Sequence, residues 1–401
     1  MNVLFLTLAS IEDIQERGIY TDLIRELAYR GIHMHVVTPR EKRKNLPTEL
    51  VKEGYISLLK VKTGNITKTN MIEKGLSTLS IERQYLQAIQ QHFPNVHFDL
   101  ILYSTPPITF EKVVRYFKEH HQSKTYLMLK DIFPQNAVDI GLMRTGSMMW
   151  KYFRNKEKKL YELSDQIGCM SQANVDYIAR HNNIDKNQLE IFPNCIYPID
   201  KIVKTDTCHH LLEKYKIPKN TTLFIYGGNL GKPQGIDFLL EVAAHFDAGH
   251  LLIVGSGTEY ERVRSTLQVL NNKNVTLLPY LPKEEYDQLL QIADVGLIFL
   301  DRRFTIPNFP SRLLSYMEYS IPILAATDCQ TDIKDVLRES DSGFWCESGD
   351  LESFMMYAAR LSINKRLRED MGDNGRRYLE KHYDVRKAAD ILLKHVLAGV
   401  E

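Results

Sequence analysis

The sequence predicts an α/β protein made of two Rossmann-like, doubly wound domains in tandem. Its 401 residues are too many for one ordinary core and suit two domains of about 200 residues each. In each half, short and fully apolar runs alternate with stretches of helical spacing, which is typical of parallel sheets covered by helices on both faces. This alternation starts again after a polar, proline-containing passage at about residues 197–220.

The first half supplies the elements of one such domain in order. A strand at Val3–Leu6 is followed by a loop that contains Gly18, by a helix near Tyr20–Arg30 and by a strand at His33–Thr38. Three later apolar segments also have strand length: Leu100–Tyr103, Thr125–Leu129 and Gln166–Met170. We expect this domain to comprise residues 1–200.

The second half repeats the pattern with a strand at Thr222–Tyr226, a glycine-rich turn at Gly227–Gly235 and a helix at Ile236–Phe246. Four further strands are expected at Leu251–Val254, Val275–Leu278, Val295–Phe299 and Pro322–Ala325. From about Leu351 to Ala398 the sequence is helical and amphipathic. We expect a second domain over residues 201–384 and a C-terminal helix, about 385–401, that packs back on the first domain.

Composition excludes several classes of protein. The net charge is +1, so no global attraction to nucleic acid is expected. The five cysteines are scattered without a C-x-x-C pair, as in reduced cytosolic proteins. The N-terminal run MNVLFLTLAS lacks a positive start and predicts a buried strand rather than a signal peptide. No stretch reaches the roughly 18 apolar residues of a membrane span, so we expect a cytoplasmic protein that meets a membrane only peripherally.

The strongest local signal is YGGNLGKPQGIDFLLE, residues 226–241. A buried strand runs into glycines and then into a helix start, where free amides and the helix dipole favour phosphate, and Lys232 adds a full positive charge. The segment does not match the G-x-x-x-x-G-K-[ST] phosphate loop, because neither Ser nor Thr follows the lysine. A tight strand–helix turn with a solvated lysine remains the plainer interpretation.

The second signal is FPSRLLSYMEYSIPILAATD, residues 309–328. Ser311 marks a helix start that is followed by leucines at core spacing. Arg312, in the first turn, suits a forked contact with two diphosphate oxygens. The alternative is a capped surface helix whose arginine is merely solvated.

Together these two segments, at this separation, resemble the family-4 glycosyltransferases of the GT-B fold, and within that family the branch that builds capsule and O-antigen repeat units. The resemblance covers nearly the whole chain, and its strength lies in the order and spacing of its motifs. Those motifs are RELAYRGIHMHVVTP (25–39), YSTPP (103–107), LKDIFPQNAVDIG (129–141), IFPNCIYP (191–198), IVGSGTEYERV (253–263), NVTLLPYLPKEEYDQLLQIADVGLIFL (274–300) and REDMGDNGRRYLEKHYD (368–384).

The resemblance implies two Rossmann-like domains facing each other across a cleft. It also implies a retaining hexosyltransferase that moves a sugar from a nucleotide diphosphate, uridine rather than guanosine, to a lipid-diphosphate-linked saccharide. No cofactor or metal is implied, and the sequence has neither an Asp-x-Asp motif nor a His/Cys ligand cluster. The donor-binding residues that the motifs and the resemblance indicate are Gly18, Gly228, Asn229, Lys232, Gly257, Tyr280, Leu281, Ser311, Arg312 and Ser315.

The chain departs from the family pattern at two places. Many members carry an arginine and, five residues later, a lysine that grip the diphosphate, whereas this chain has Asn229 and Gln234. We therefore assign the leaving-group charge to Lys232 and Arg312 as catalytic residues. The family's glutamate pair is also missing. Counted from Pro322, its second member falls at Ser315, and Glu318 would serve only if the alignment slips.

Asp131 is the third catalytic candidate. It lies in the turn after a predicted strand, where a carboxylate would orient the acceptor hydroxyl or accept its proton. A helix N-cap or turn aspartate is an equally good interpretation. The resemblance also implies that the leaving phosphate itself takes the acceptor proton, so that a dedicated protein base is not required.

Residues 148–159 (MMWKYFRNKEKK) place aromatic side chains among basic ones. Such a mixture suits docking on an anionic leaflet, on the inner face of the plasma membrane for a lipid-linked acceptor. The alternative is that the aromatic residues fill the core of the first domain while the lysines are solvated.

Two other functions remain open at this point. A sugar-nucleotide epimerase of the same fold would bind the same donor but would need acid and base side chains, for which the sequence offers few candidates. A non-catalytic nucleotide-binding scaffold is the second alternative, and the missing glutamate pair supports it.

Overall fold

A computed structural model describes residues 1–66, 71–200 and 210–397 of the chain. Two compact units make up the protein: unit 1 combines Met1–Tyr197 with the C-terminal segment from Val385, and unit 2 comprises Pro198–Asp384. The division after Tyr197 lies three residues before the boundary that the sequence suggested. Cys208 and residues 398–401, the end of the predicted helical tail, lie outside the described residues.

Unit 1 begins with alternating strands and helices around a sheet. Its elements up to the division are β1 (Asn2–Leu6), α1 (Ile19–Tyr29), β2 (His33–Glu41), β3 (Glu49–Glu53), β4 (Ile56–Thr63), α2 (Met71–His92), β5 (Leu100–Ser104), α3 (Glu111–His121), β6 (Lys124–Leu129), α4 (Gln135–Asp139), α5 (Met148–Leu163), β7 (Gln166–Cys169), α6 (Gln172–His181) and β8 (Leu189–Ile191). The strands form one sheet in the order β3-β4-β2-β1-β5-β6-β7-β8. All of its neighbours pair in parallel except β3, which is antiparallel to β4.

Unit 2 has the same construction around a smaller sheet. Its elements are α7 (His210–Lys214), β9 (Leu223–Asn229), α8 (Ile236–His245), β10 (His250–Ser256), α9 (Tyr260–Leu270), β11 (Val275–Leu278), α10 (Lys283–Ile292), β12 (Val295–Phe299), α11 (Arg312–Glu318), β13 (Ile323–Thr327), α12 (Ile333–Ser340), β14 (Gly343–Glu347), α13 (Leu351–Ile363) and α14 (Lys365–His382). Its strands lie in the order β11-β10-β9-β12-β13-β14 and are all parallel.

The last helix, α15 (Val385–Leu397), belongs to unit 1. Its apolar side contributes Val385, Ala389 and Leu392 to the core that also contains the buried face of α1. Outside this core, Arg30, the C-cap residue of α1, pairs with Asp390 at 2.5 Å. The helix therefore packs on unit 1, although in the sequence it directly follows unit 2.

The sequence predicted the strands with continuous apolar runs and missed four others. β3 is a short, mostly exposed edge strand with the sequence ELVKE, and β14 is an edge strand that is only half-buried over most of its length. β4 mixes buried and polar positions, and β8 has only three residues. Edge strands need one face at most against a core, so their sequences lack the apolar runs that mark the central strands.

Candidate functional site

The strand order of unit 2 reverses between β9 and β12, which pair with each other in the middle of the sheet. In open α/β sheets ligands bind at such a reversal, beyond the carboxyl ends of the strands. β9 ends at Asn229 and β12 at Phe299, and the chain after β12 leads into α11. The segments after these two strands are therefore the candidate site of unit 2.

The first two glycines of the first motif lie in a strand, not in the turn that the sequence predicted. Gly227 and Gly228 extend β9 by pairing with Val254 and Gly255 of β10. A Cβ atom on Gly227 would lie 1.8 Å from the hydroxyl of Tyr286, and one on Gly228, whose φ is +137°, would lie 2.7 Å from Nη2 of Arg312. Close packing of these two side chains thus requires the glycines.

Arg312 is the first residue of α11, and its guanidinium lies beneath the end of β9. Nη2 donates to Oε1 of Gln234 at 3.0 Å, and the guanidinium carbon lies 4.5 Å from the centre of the Tyr226 ring. Nη1 is buried and has no hydrogen-bond acceptor in the described part of the chain. The arginine is thus positioned by neutral groups and keeps donor capacity for an anion.

Lys232 opens a short 3-10 turn, Lys232–Gln234, and its side chain is exposed. Gly235 then starts α8 with a left-handed backbone, φ +55°, and a Cβ there would lie 2.7 Å from the carbonyl oxygen of Leu300. The lysine and Gln234, the partner of Arg312, are therefore two residues apart in one turn. The structure brings the turn of the first motif and the arginine of the second motif together.

Asn229 and Gly257 lie next to this turn. The amide of Leu230 donates to the carbonyl of Ser256 at 2.8 Å, which joins the ends of β9 and β10. A Cβ on Gly257 would lie 2.3 Å from the Leu230 oxygen and 2.6 Å from Oδ1 of Asn229. Gly257 is needed for this close approach, and the exposed Asn229 side chain lies over it.

Tyr280 and Leu281 follow β11 at the same edge of the sheet, in the segment before α10. Tyr280 is 70% exposed and Leu281 is half-buried. Tyr286, six residues further along, contacts Gly227. The segment is therefore near the end of β9 through α10.

Ser311, the N-cap of α11, is exposed and its side chain makes no capping hydrogen bond. The helix has seven residues, and the amides of Leu313 and Leu314 already donate to the carbonyls of Pro310 and Ser311. Few amides therefore remain for a ligand at this helix start, and an anion bound here would depend mainly on the Arg312 side chain.

The carboxylate of Glu318, the alternative to Ser315, already accepts a hydrogen bond within unit 2. Its side chain is buried, Oε1 accepts from the amide of Ile199 at 3.0 Å, and its carbonyl accepts from Nη1 of Arg376 at 2.9 Å. A carboxylate that secures the start of unit 2 is not available for a sugar. Ser315 is half-buried on the same helix and is the better candidate of the two.

In unit 1 the carboxyl ends of β1, β5 and β6 are tied together by hydroxyl groups. Ser104 Oγ donates to Thr7 Oγ1 at 3.4 Å. Thr105 Oγ1 accepts from the amides of Lys130 and Asp131 at 3.0 and 3.3 Å. These contacts fix the turn that follows β6.

Asp131 has both carboxylate oxygens within 2.7–2.8 Å of Nδ2 of Asn136. Burial raises the pKa of this carboxyl to about 6, although hydrogen bonds from the Ile132 amide and from Asn136 favour the ionised form. Asp131 is not the N-cap of α4, since that position is Pro134. Sequence reasoning did not identify Asn136. Its position five residues after the aspartate, in the following helix, is the signal that was available.

Gly18 caps α1 with extended backbone, φ 179°, and is half-buried. Its amide donates to Oδ1 of Asp22 at 3.3 Å, and its carbonyl accepts from the amide of Asp22 at 2.8 Å. This extended backbone does not demand a glycine, although a Cβ at this position would lie 3.2 Å from Thr21 Oγ1, a tight contact.

The basic and aromatic stretch 148–159 forms most of α5. Two of its cations face the unit: Lys156 pairs with Glu111 at 2.9 Å, and Arg154 donates to Asn182 at 2.6 Å. These two cations are therefore held by partners within unit 1, and docking of the stretch on a membrane stays a prediction. At the start of the helix, in contrast, Met148 is 90% and Tyr152 42% exposed.

None of the described helices combines the length and hydropathy that a bilayer crossing requires. Cys169, Cys195 and Cys346 are buried and Cys329 is exposed, and none of the four forms a disulfide within the described part of the chain.

Two family models match the chain, one in each half. Residues 19–198 match the model described as Glycosyltransferase Family 4, and residues 210–378 match the model described as Glycosyl transferases group 1. The matches fall almost entirely within unit 1 and unit 2 respectively.

Individual proteins resemble the chain at low identity. The probable glycosyltransferase WbjE of Pseudomonas aeruginosa is 20% identical over 71% of this chain and 70% of its own. The putative colanic acid biosynthesis glycosyl transferase WcaI of Escherichia coli K12 is 21% identical over 59% of each. The crystal structure of Anabaena HepE in complex with UDP-glucose superposes with a TM-score of 0.71 at 14% identity, covering 99% of this chain and 100% of that one.

Replacing Asn136 by alanine is expected to raise the pKa of Asp131 further above its value of about 6, because the carboxylate loses the side-chain donor that stabilises its charge. Carboxyl titration by ¹³C NMR measures the change. Gln135→Ala is the matched control, since that neighbouring amide donates to Asp139 instead. An unchanged or lower pKa of Asp131 in Asn136→Ala would contradict the hydrogen bond between these two side chains.

Proposed function

Because the chain belongs to the family-4 glycosyltransferases, retaining enzymes of the GT-B fold that use nucleotide-sugar donors, we propose that it transfers a hexose from a uridine-diphosphate sugar to a lipid-diphosphate-linked saccharide. In this proposal unit 2 binds the donor and unit 1 the acceptor. The product would be a repeat unit of a bacterial surface polysaccharide such as capsule or O-antigen.

One observation supports the donor site: the guanidinium of Arg312 lies among neutral groups, and its buried Nη1 has no hydrogen-bond acceptor among the described residues. A buried cation without a counter-ion is costly, and a diphosphate would supply both the charge and the acceptor oxygens. The exposed ammonium of Lys232, in the turn that also holds Gln234, adds a second charge. Leaving-group charge would thus be neutralised by two side chains, without a metal ion.

We propose the remaining donor contacts because these residues lie near the carboxyl ends of the unit 2 strands. Gly228, Asn229 and Gly257 bring backbone close to the phosphates at the ends of β9 and β10. Backbone groups near Tyr280 and Leu281 would hold the base. The other proposed contacts in unit 2 are Ser315 on α11 and Ser311, the N-cap of that helix.

Asp131 would act on the acceptor. Above a pH of about 6 its carboxyl is mostly ionised and accepts a hydrogen bond from the attacking hydroxyl, while the leaving phosphate takes the proton. As the pH falls through about 6, the carboxyl becomes neutral and this orientation is lost. Asn136 keeps the carboxylate in one position.

The choice of uridine rests on the structural neighbour from Anabaena, which was crystallised with UDP-glucose. The choice of acceptor rests on sequence resemblance and on the relative named for colanic acid biosynthesis. A glycosyltransferase that uses a lipid-linked acceptor must work at a membrane face.

The start of α5 offers a surface for that purpose. Leu142 is 61% exposed, Met148 90% and Met149 54%, and Arg144 and Lys151 are exposed beside them. Apolar side chains with interspersed cations bind the interface of an anionic bilayer. Phe153 of the same helix contacts Phe133, two residues from Asp131, at 5.0 Å between ring centres. Docking here would place the proposed acceptor residue near the lipid.

UDP-glucose is expected to raise the melting temperature of the protein in the presence of EDTA, since a ligand at about 100 Kd stabilises the native state by about 2.7 kcal/mol. Arg312→Ala and Lys232→Ala should each remove most of this increase, because a hydrogen bond to a charged group contributes about 1.5–3 kcal/mol. Arg338→Ala and Lys273→Ala, at exposed positions of unit 2, are the matched controls. Full stabilisation of both site variants would show that the diphosphate binds elsewhere.

The full chain is expected to sediment with vesicles that contain phosphatidylglycerol, and less with pure phosphatidylcholine or at high salt. Met148→Asp with Met149→Asp should weaken binding by about tenfold or more, since two apolar contacts are replaced by charges that the anionic surface repels. Val269→Asp, at an 86% exposed apolar position of unit 2, is the control. Equal sedimentation of all variants would remove the proposed surface.

A further inference from the structure

Lys130 takes no part in the proposed donor site or in the proposed contact between Asp131 and the acceptor. It directly follows β6, next to Asp131, at the carboxyl edge of the unit 1 sheet. Its side chain is partly buried, and Nζ donates to the carbonyl oxygen of Phe192 at 3.3 Å and lies 5.0 Å from the centre of that residue's ring. Within residues 1–66, 71–200 and 210–397, no carboxylate pairs with this ammonium.

An ammonium carries three N–H donors, and the single long contact to Phe192 uses only one of them. Removal from solvent lowers the pKa of Lys130 to about 8, with the thiols of Cys195 and Cys169 facing it and acting in the opposite direction. A desolvated cation without a counter-ion destabilises a fold, and an apolar side chain of the same length would avoid that cost. Such a group suits an anion that arrives from outside.

The surroundings restrict what that anion is. Thr105 holds the backbone of the turn through the amides of Lys130 and Asp131. Asn136 holds the carboxylate of Asp131. The turn after β6 thus carries a carboxyl on Asp131, held by Asn136, and an ammonium on the adjacent Lys130, held against Phe192.

We propose that Lys130 forms an anion-binding subsite in unit 1 that takes a phosphate group of the acceptor's diphosphate. The inference rests on the proposed function, because it takes the hydroxyl beside Asp131 to belong to the sugar that this diphosphate carries. The donor diphosphate stays with Arg312 and Lys232 in unit 2. A phosphate of the donor is the competing source of the same chemistry, and the experiment separates the two.

The test is titration calorimetry of the full chain with inorganic pyrophosphate. The wild type should bind at two separable sites, Arg312→Ala should keep the Lys130 site, and Lys130→Met should lose it, with affinity falling by about tenfold or more for want of the charge. Lys130→Arg should restore part of the binding. Lys112→Met, at an exposed position of α3, is the matched control and should bind as the wild type does.

Two thermal-stability measurements on Lys130→Met distinguish a role in anion binding from a structural role. Lys130→Met should keep the stabilisation by UDP-glucose, and its own melting temperature should equal or exceed that of the wild type, since no ion pair is broken. Unchanged pyrophosphate binding in Lys130→Met would overturn the proposal. A single pyrophosphate site that both Lys130→Met and Arg312→Ala abolish would also overturn it, because the lysine would then belong to the donor site. A clear loss of stability in Lys130→Met would overturn it as well, because the role of the lysine would then be structural. A failure of the proposed donor site alone would instead appear in Arg312→Ala and Lys232→Ala.

Discussion

The candidate donor site depends on one interaction, the placement of the Arg312 guanidinium under the end of β9. Tyr226 supplies the surface on which it lies, Gln234 orients Nη2, and Gly228 leaves the space that it occupies. Each of these neighbours is neutral, so none of them satisfies the charge. The fold therefore holds a positive group ready at the sheet edge where α/β proteins bind ligands.

This arrangement accounts for the departure of the chain from its family's pattern. In many members the diphosphate is gripped by an arginine and a lysine at the positions of Asn229 and Gln234. A lysine at 234 would place a second cation within hydrogen-bond distance of the guanidinium, because Gln234 Oε1 lies 3.0 Å from Nη2. In the proposed donor site, Arg312 on α11 and Lys232 in the turn would supply the positive charge, while Gln234 is a neutral partner of the guanidinium.

Particular residues show which parts of the fold and of the candidate site can be predicted from the sequence. Apolar runs such as Val295–Phe299 gave the central strands, and the segment around Arg312 was recognised from its motif. Gly227 and Gly228 were assigned to a turn, since local sequence does not reveal that Tyr286 and Arg312 pack against them. Asn136 was missed for the same reason: its role depends on a side-chain contact, and only α4 brings it to Asp131. Long-range packing, rather than local propensity, decides these positions.

The central claim is that Arg312 holds the diphosphate of the donor without a metal ion. The most direct measurement is a crystal structure of the protein with UDP, grown in the presence of EDTA. The account predicts phosphate oxygens at about 3 Å from Nη1 of Arg312, beside Gly228 and within reach of Lys232. A nucleotide bound with its phosphates away from Arg312, or one that binds only when a divalent cation is coordinated by side chains, would contradict it.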